Sequence, residues 1–170
     1  MMQYTRVLFL ALGIQCLYTL PAAADVTVQF DEGAPKDYFT FQNIGKCALR
    51  TVTLSLDLSK SKSGLIFDVS SAGAGVEVFQ PLEFVSGEET LSKIPRVRDG
   101  DNQIKFNIRK LDVDEVIKFS IDVDDTIGGR EITVSGSEIV GAEVKLKQLD
   151  EVFSSVFGAN SRALISAKQC

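Results

Sequence analysis

The densest group of side chains able to do chemistry is Ile121-Asp122-Val123-Asp124-Asp125-Thr126. Residues two apart on a strand share a face, so Asp122 and Asp124 are expected together, opposite Ile121 and Val123, with Asp125 opening the next loop. Three carboxylates converging at a strand end repel one another unless a cation or basic neighbours compensate. Oxygen ligands in such a loop suit Ca2+, which takes about 6–8 oxygens and tolerates irregular geometry. Asp99 and Asp101, with Asn102, form a second oxygen-rich turn that could contribute to such a site. The alternative is a pair of solvated acidic loops, partly neutralised by Lys118 and Arg130, since no EF-hand spacing is present.

Other chemistries lack their parts. There is no His and no Trp among the 170 residues, which removes the commonest catalytic base, the commonest metal ligand and any Ser-His or Cys-His pair. Gly73-Ala74-Gly75 resembles half of a dinucleotide fingerprint, but the third Gly and a surrounding βαβ unit are missing, so it reads as a turn. A secreted hydrolase using two carboxyl groups on a polysaccharide is the enzymatic alternative. Glu77, Glu83, Glu131 and Glu138 are its candidate acids, and two of them would have to face each other about 5–10 Å apart in a groove. Tyr38 is the one Tyr beyond the N-terminal apolar stretch, so platforms for sugar stacking are scarce.

That stretch sets the compartment. Residues 1–24 hold one charge, Arg6, then an apolar run from Val7 to Leu20, Pro21, and small residues at Ala22 and Ala24. This is the order of a cleavable signal peptide; Gln15 and Pro21 leave the run short of a bilayer span. Secretion to the periplasm or the exterior is the expectation, with the exported chain beginning at Asp25. Cys16 would leave with the leader, and Cys47 and Cys170 remain, able to form a disulfide in an oxidising compartment. Such a bridge closes a long loop and would stabilise by about 4 kcal/mol in the chain-entropy model; Cys170, ending the chain, could equally fray. The formal net charge of −5 offers no counterion release at a phosphate backbone, so nucleic acid and anionic membranes are not expected partners. An extracellular protein or polysaccharide, or a second copy of the chain, is expected instead.

The elements that would position these residues are strands. Val26/Val28/Phe30, Val52/Leu54/Leu56/Leu58, Ile104/Phe106/Ile108 and Ile117/Phe119/Ile121/Val123 alternate with polar residues at period two. Shorter candidates lie at 38–42, 65–69, 76–79, 131–135 and 142–147, separated by turn signals such as Asp99-Gly100 and Gly128-Gly129. About nine one-faced strands predict an all-β, antiparallel β-sandwich over residues 25–150, with a β-barrel as the alternative. Its core is expected to include Val52, Leu54, Leu56, Phe67, Ile104, Phe106, Phe119, Ile121 and Val134. Residues 151–170 read as a last edge strand or a loose tail. Val152, Phe153, Val156 and Phe157 have helical spacing, over too few residues to decide.

The runs "FQNIGKCALRTVTLSLDLSKSKSGLIFDV", "AGAGVEVFQPLEFVSG", "VRDGDNQIKFNI" and "FSIDVDDTIGGREITVSGSEIVGAEV" resemble the aggregation factor core proteins of marine bacteria. The resemblance covers about residues 41–144, with "IDVDDT" and "REITVSGSEI" the most specific parts. It implies a secreted β-rich domain linked by name to calcium-dependent cell–cell adhesion. It matches Asp122, Asp124 and Asp125 to the family's acidic motif and Asp99 and Asp101 to its acidic turn. No catalytic residue comes with it. The turn before "FSIDVDD" departs from the family pattern: Val113-Asp114-Glu115 stands where Pro-Gly-Glu is usual. A non-enzymatic binding or adhesion module is therefore the first functional expectation.

Overall fold

The computed structural model describes residues 24–33, 36–71, 79–127 and 133–167. Twelve strands follow in order: β1 (Ala24–Asp31), β2 (Asp37–Asn43), β3 (Leu49–Asp57), β4 (Ile66–Phe67), β5 (Glu83–Ser86), β6 (Leu91–Lys93), β7 (Gln103–Leu111), β8 (Val116–Ile121), β9 (Val123–Asp124), β10 (Glu143–Gln148), β11 (Glu151–Val156) and β12 (Arg162–Ala167). They form two five-stranded antiparallel sheets, ordered β12-β1-β2-β8-β5 and β11-β10-β3-β7-β6, and a two-stranded ribbon β4-β9. The chain is thus an all-β sandwich, and no closed barrel forms. Residues 1–23, all of the expected leader but Ala24 at the start of β1, lie outside the described residues, as do Glu77, Arg130, Glu131, residues 73–75 and Cys170. No helix among the described residues is long and apolar enough to cross a membrane.

Period-two alternation produces the core directly. The inward residues of β3, β7 and β8 are buried, and every one of the nine expected core residues is at most 2% exposed. Phe119 sits at the centre, with ring centroids 5.4 Å from Phe39, 5.4 Å from Phe41 and 4.9 Å from Phe106. This aromatic group ties the first sheet to the second through Phe106 on β7. Such ring pairs are worth about 0.5–1.5 kcal/mol beyond their area burial.

The C-terminal segment resolves into strands. Residues 151–156, helical in spacing, form β11, because pairing with β10 through a two-residue turn satisfies a backbone that so short a helix could not. Residues 162–167 form β12 on the free side of β1, an edge strand and not a tail. β11 and β12 pack on each other and close one side of the sandwich. The 131–135 candidate is not a strand over its described part, though Val134 is buried as expected. Cys47 is disulfide-bonded, and its partner lies outside the described residues.

The turn at Val113-Asp114-Glu115 folds tightly by its own means. Asp114 takes a positive φ of 63°, the Glu115 N–H donates to the Asp112 carbonyl, and the Glu115 carboxylate accepts the Asp112 N–H. The turn does not close a hairpin, because β7 and β8 belong to different sheets; it carries the chain from one sheet to the other, and since Asp tolerates the left-handed region better than most side chains it needs no Gly there.

Candidate metal centre

The acidic centre is built by a change of partner. β8 runs in the first sheet, paired with β2 from Asp37↔Ile121 to Gln42↔Val116. After Ile121 the chain leaves that sheet and pairs with β4, as Phe67↔Val123 and Ile66↔Asp124. Asp122 sits at the switch: its N–H donates to the Gln80 carbonyl at 3.2 Å, and its carbonyl accepts the Asp68 N–H at 3.1 Å. The ribbon places Asp68, the residue after β4, against Asp122 and Asp124.

One carboxylate oxygen from each of Asp68, Asp122 and Asp124 lies within 4.8 Å of those of the other two. Asp68 is 0% exposed, Asp122 6% and Asp124 3%. Both carboxylate oxygens of Asp68 and Oδ2 of Asp122 are buried with no hydrogen-bond donor. Asp122 Oδ1 accepts the Val123 N–H at 3.1 Å. None of the four ion pairs among the described residues reaches this group. Lys118, expected to neutralise it, lies 5.0 Å over the Tyr38 ring instead.

Two further acids border the triad. Asp37, at the start of β2 and 3% exposed, accepts the Gly33 N–H and stands within the field of Asp122 and Asp124. Asp99 adjoins Asp68 and accepts the N–H groups of Val69 at 2.9 Å and Ser70 at 3.1 Å. Burial pushes the carboxyl groups of Asp37, Asp68 and Asp122 up to about 7. For Asp68 the contacts with Asp99 and Asp124 add to the rise, for Asp122 the charge of Asp124, and for Asp37 the charges of Asp122 and Asp124; the Gly33 and Val123 N–H groups oppose it at Asp37, and that of Val123 at Asp122. An unpaired charge out of water is costly, so these groups keep their protons or share a cation.

Of the residues singled out in the sequence, Asp122 and Asp124 are brought together and Asp99 flanks them. Asp125 is buried but its carboxylate is not in the group. Asp101 turns back on its own loop, where Oδ2 accepts the Arg98 N–H at 2.8 Å. The alternative of a solvated acidic loop does not describe this segment: Ile121 through Asp125 are all buried, because the strand leaves its sheet and both its sides become covered. Asp68 and Asp37 were not anticipated. Each is a single acid in its local sequence, and only the β4–β9 and β2–β8 pairings bring them to the site.

Of the hydrolase candidates, Glu77 and Glu131 lie outside the described residues, and the other two have partners of their own. Glu83 is ion-paired with Lys36, and Glu138 accepts from Ser135 N–H and Oγ and from Ser63 Oγ. No protein-family model matches the chain, and no curated protein matches it.

Proposed function

We propose that this chain is a secreted, non-enzymatic binding or adhesion module whose acidic centre takes a divalent cation, with Ca2+ as the ion its chemistry suits best. The carrying observation is the three-aspartate cage, in which Asp68 presents two buried oxygens and Asp122 one that receive no donor from the protein. All-oxygen ligands without Cys or His favour a hard ion over zinc or copper. Asp37 and Asp99 border the cage and add negative field. The resemblance of the quoted runs to aggregation factor core proteins, and the leader pattern, support an extracellular setting and an adhesive role. The cation is structural in this reading: it joins β4, β9 and the end of β8 and is not presented to a substrate.

A ligand that binds only the folded state stabilises it by RT ln(1 + [L]/Kd), about 2.7 kcal/mol at a hundredfold excess over Kd. Millimolar Ca2+ is expected to raise the melting temperature of the chelator-treated protein at pH 8. In Asp68→Asn and Asp124→Asn the response should vanish, while the calcium-free variants should melt at or above the wild-type temperature, because a buried charge has been removed. Asp125→Asn should keep the response. A wild-type melting temperature indifferent to Ca2+, Mg2+ and Mn2+ would refute the cation centre.

A further inference from the structure

The outer faces of the two sheets differ in charge. On the second sheet, register aligns the outward residues of β10, β3 and β7 in rows: Lys145, Ser55 and Lys105 in one, Lys147, Thr53 and Asn107 in the next. Lys93 on β6 lies beside Asn107, and Arg109 follows it by two residues along β7. Among the outward strand residues of these rows the acids are Asp57 and Glu143, opposite each other in the row that ends at Gln103. Both are already used: Glu143 pairs with Lys145 at 3.0 Å and Lys60 at 3.3 Å, and Asp57 accepts from Ser59 and Gln103. Lys93, Lys105 and Lys147 have no acidic partner among the described residues. The guanidinium of Arg109 is held by the Glu89 and Leu91 carbonyls, which orient it without cancelling its charge. On the first sheet, by contrast, Asp25, Asp31 and Glu83 face outward with Lys118 and Arg162.

Two depressions cross the basic face. One, of about 620 Å3, runs between the loop after β6 and β7, past Lys93, Arg96, Lys105 and Asn107; its one acid, Asp101, accepts the Arg98 N–H. The other, of about 300 Å3, lies over β3, β7 and β10, lined by Thr53, Ser55, Lys105, Lys145 and Lys147. Lys105 borders both, so they form one track across the strands. Neighbouring strands are about 4.8 Å apart, which puts Lys105 and Lys145 about 10 Å from each other, with Ser55 between them.

We propose that this face docks an acidic polysaccharide, a chain of sugars carrying carboxylate or sulfate groups. Cations alternating with Ser55, Thr53, Asn107 and Gln103 match a polymer that alternates charges with hydroxyls. The large apolar side chains exposed beside the track are Ile94 and, on β11, Val152 and Val156, and no aromatic ring stands on it. A protein interface wants an apolar or aromatic core, and single-stranded nucleic acid wants stacking platforms. The chain's net charge of −5 does not oppose the docking, because screening within about 8 Å lets a ligand sense mainly the nearest charges. The proposal rests on the chain being a binding module and names the partner class.

The test is capture of the folded protein on immobilised heparin and on polygalacturonate, with neutral dextran and single-stranded DNA as comparisons, in Ca2+ and in chelator. Binding to at least one acidic glycan is expected, weakening as salt rises from about 50 to 200 mM. The triple variant Lys105→Gln, Lys145→Gln, Lys147→Gln should lose binding by about tenfold or more at an unchanged melting temperature, whereas Lys36→Gln with Lys118→Gln on the other sheet should not. Absence of glycan binding, full retention in the triple variant, or preference for DNA would each overturn the proposal. Failure of the cation centre is read separately, as a melting temperature that ignores Ca2+ while glycan capture persists.

Discussion

Asp68, Asp122 and Asp37 invert the usual relation between acid and stability. Most carboxylates in folded proteins are stabilised as anions, so stability falls when they are protonated. Here the folded-state values lie near 7 against an ordinary 3.8, so the favoured folded form is protonated. Their contribution is therefore fully present below about pH 4 and is lost as pH rises through 7. No Lys or Arg ion-paired to the cluster offsets this among the described residues, and Asp99 and Asp124 add to the negative field. A tenfold difference in proton affinity between the folded and unfolded chain is worth about 1.4 kcal/mol, so a single such group carries on the order of 4 kcal/mol between pH 4 and pH 8. Chelator-treated protein should be markedly more stable to urea at pH 5 than at pH 8. Ca2+ should narrow that gap by acting at pH 8 and hardly at pH 5, where protons hold the same oxygens. Equal stability across that range without metal would show that the cage is hydrated and its acids ordinary.

At the scale of elements, strands with strict alternation are legible and strands made by tertiary pairing are not. β3, β7 and β8 follow from apolar residues every second position, and so does the burial of Phe119. Phe119→Ala should cost about 3–5 kcal/mol by denaturant unfolding, since the ring touches partners in both sheets. β4 and β9 have two residues each, too few for any pattern, and exist because each supplies the other's ladder. The candidate centre inherits that opacity: Asp122 and Asp124 advertise themselves by spacing, whereas Asp68 belongs to the site only through β4. Another element carries strain in the open. Leu149, at the tip of the β10–β11 turn, has φ 52° and is 86% exposed. A side chain in the left-handed region costs about 1–2 kcal/mol, so Leu149→Gly or Leu149→Asn should stabilise by up to about 1 kcal/mol, read as a higher urea midpoint. A lower midpoint would mean that the leucine makes a contact worth more than its backbone strain.

For the whole molecule, β1 is the hinge of the architecture. It pairs on one side with β2, next in sequence, and on the other with β12, as in Val28↔Phe41 and Val28↔Ala163. The Ile44 N–H bonds to the Asp25 carbonyl and Ala24 pairs with Ala167, so β12 finishes at the end of the sandwich where the Cys47 loop begins. A bridge from Cys47 to Cys170, three residues beyond β12, fits that placement. Reduction, Cys47→Ser and Cys170→Ser should each lower stability by a similar amount, about 4 kcal/mol at most, whereas Cys16→Ser should leave stability unchanged. Loss on Cys16→Ser would reassign the partner. The same pairing governs time as well as stability. While the chain is being made, β1 shows Val26, Val28 and Phe30 along an edge that nothing covers until residues 162–167 emerge. A sheet that closes its first strand with its last has high contact order and folds on the slow scale of milliseconds to seconds. Such a chain cannot complete its first sheet piecemeal from the ribosome; that sheet is finished only when the last strand arrives.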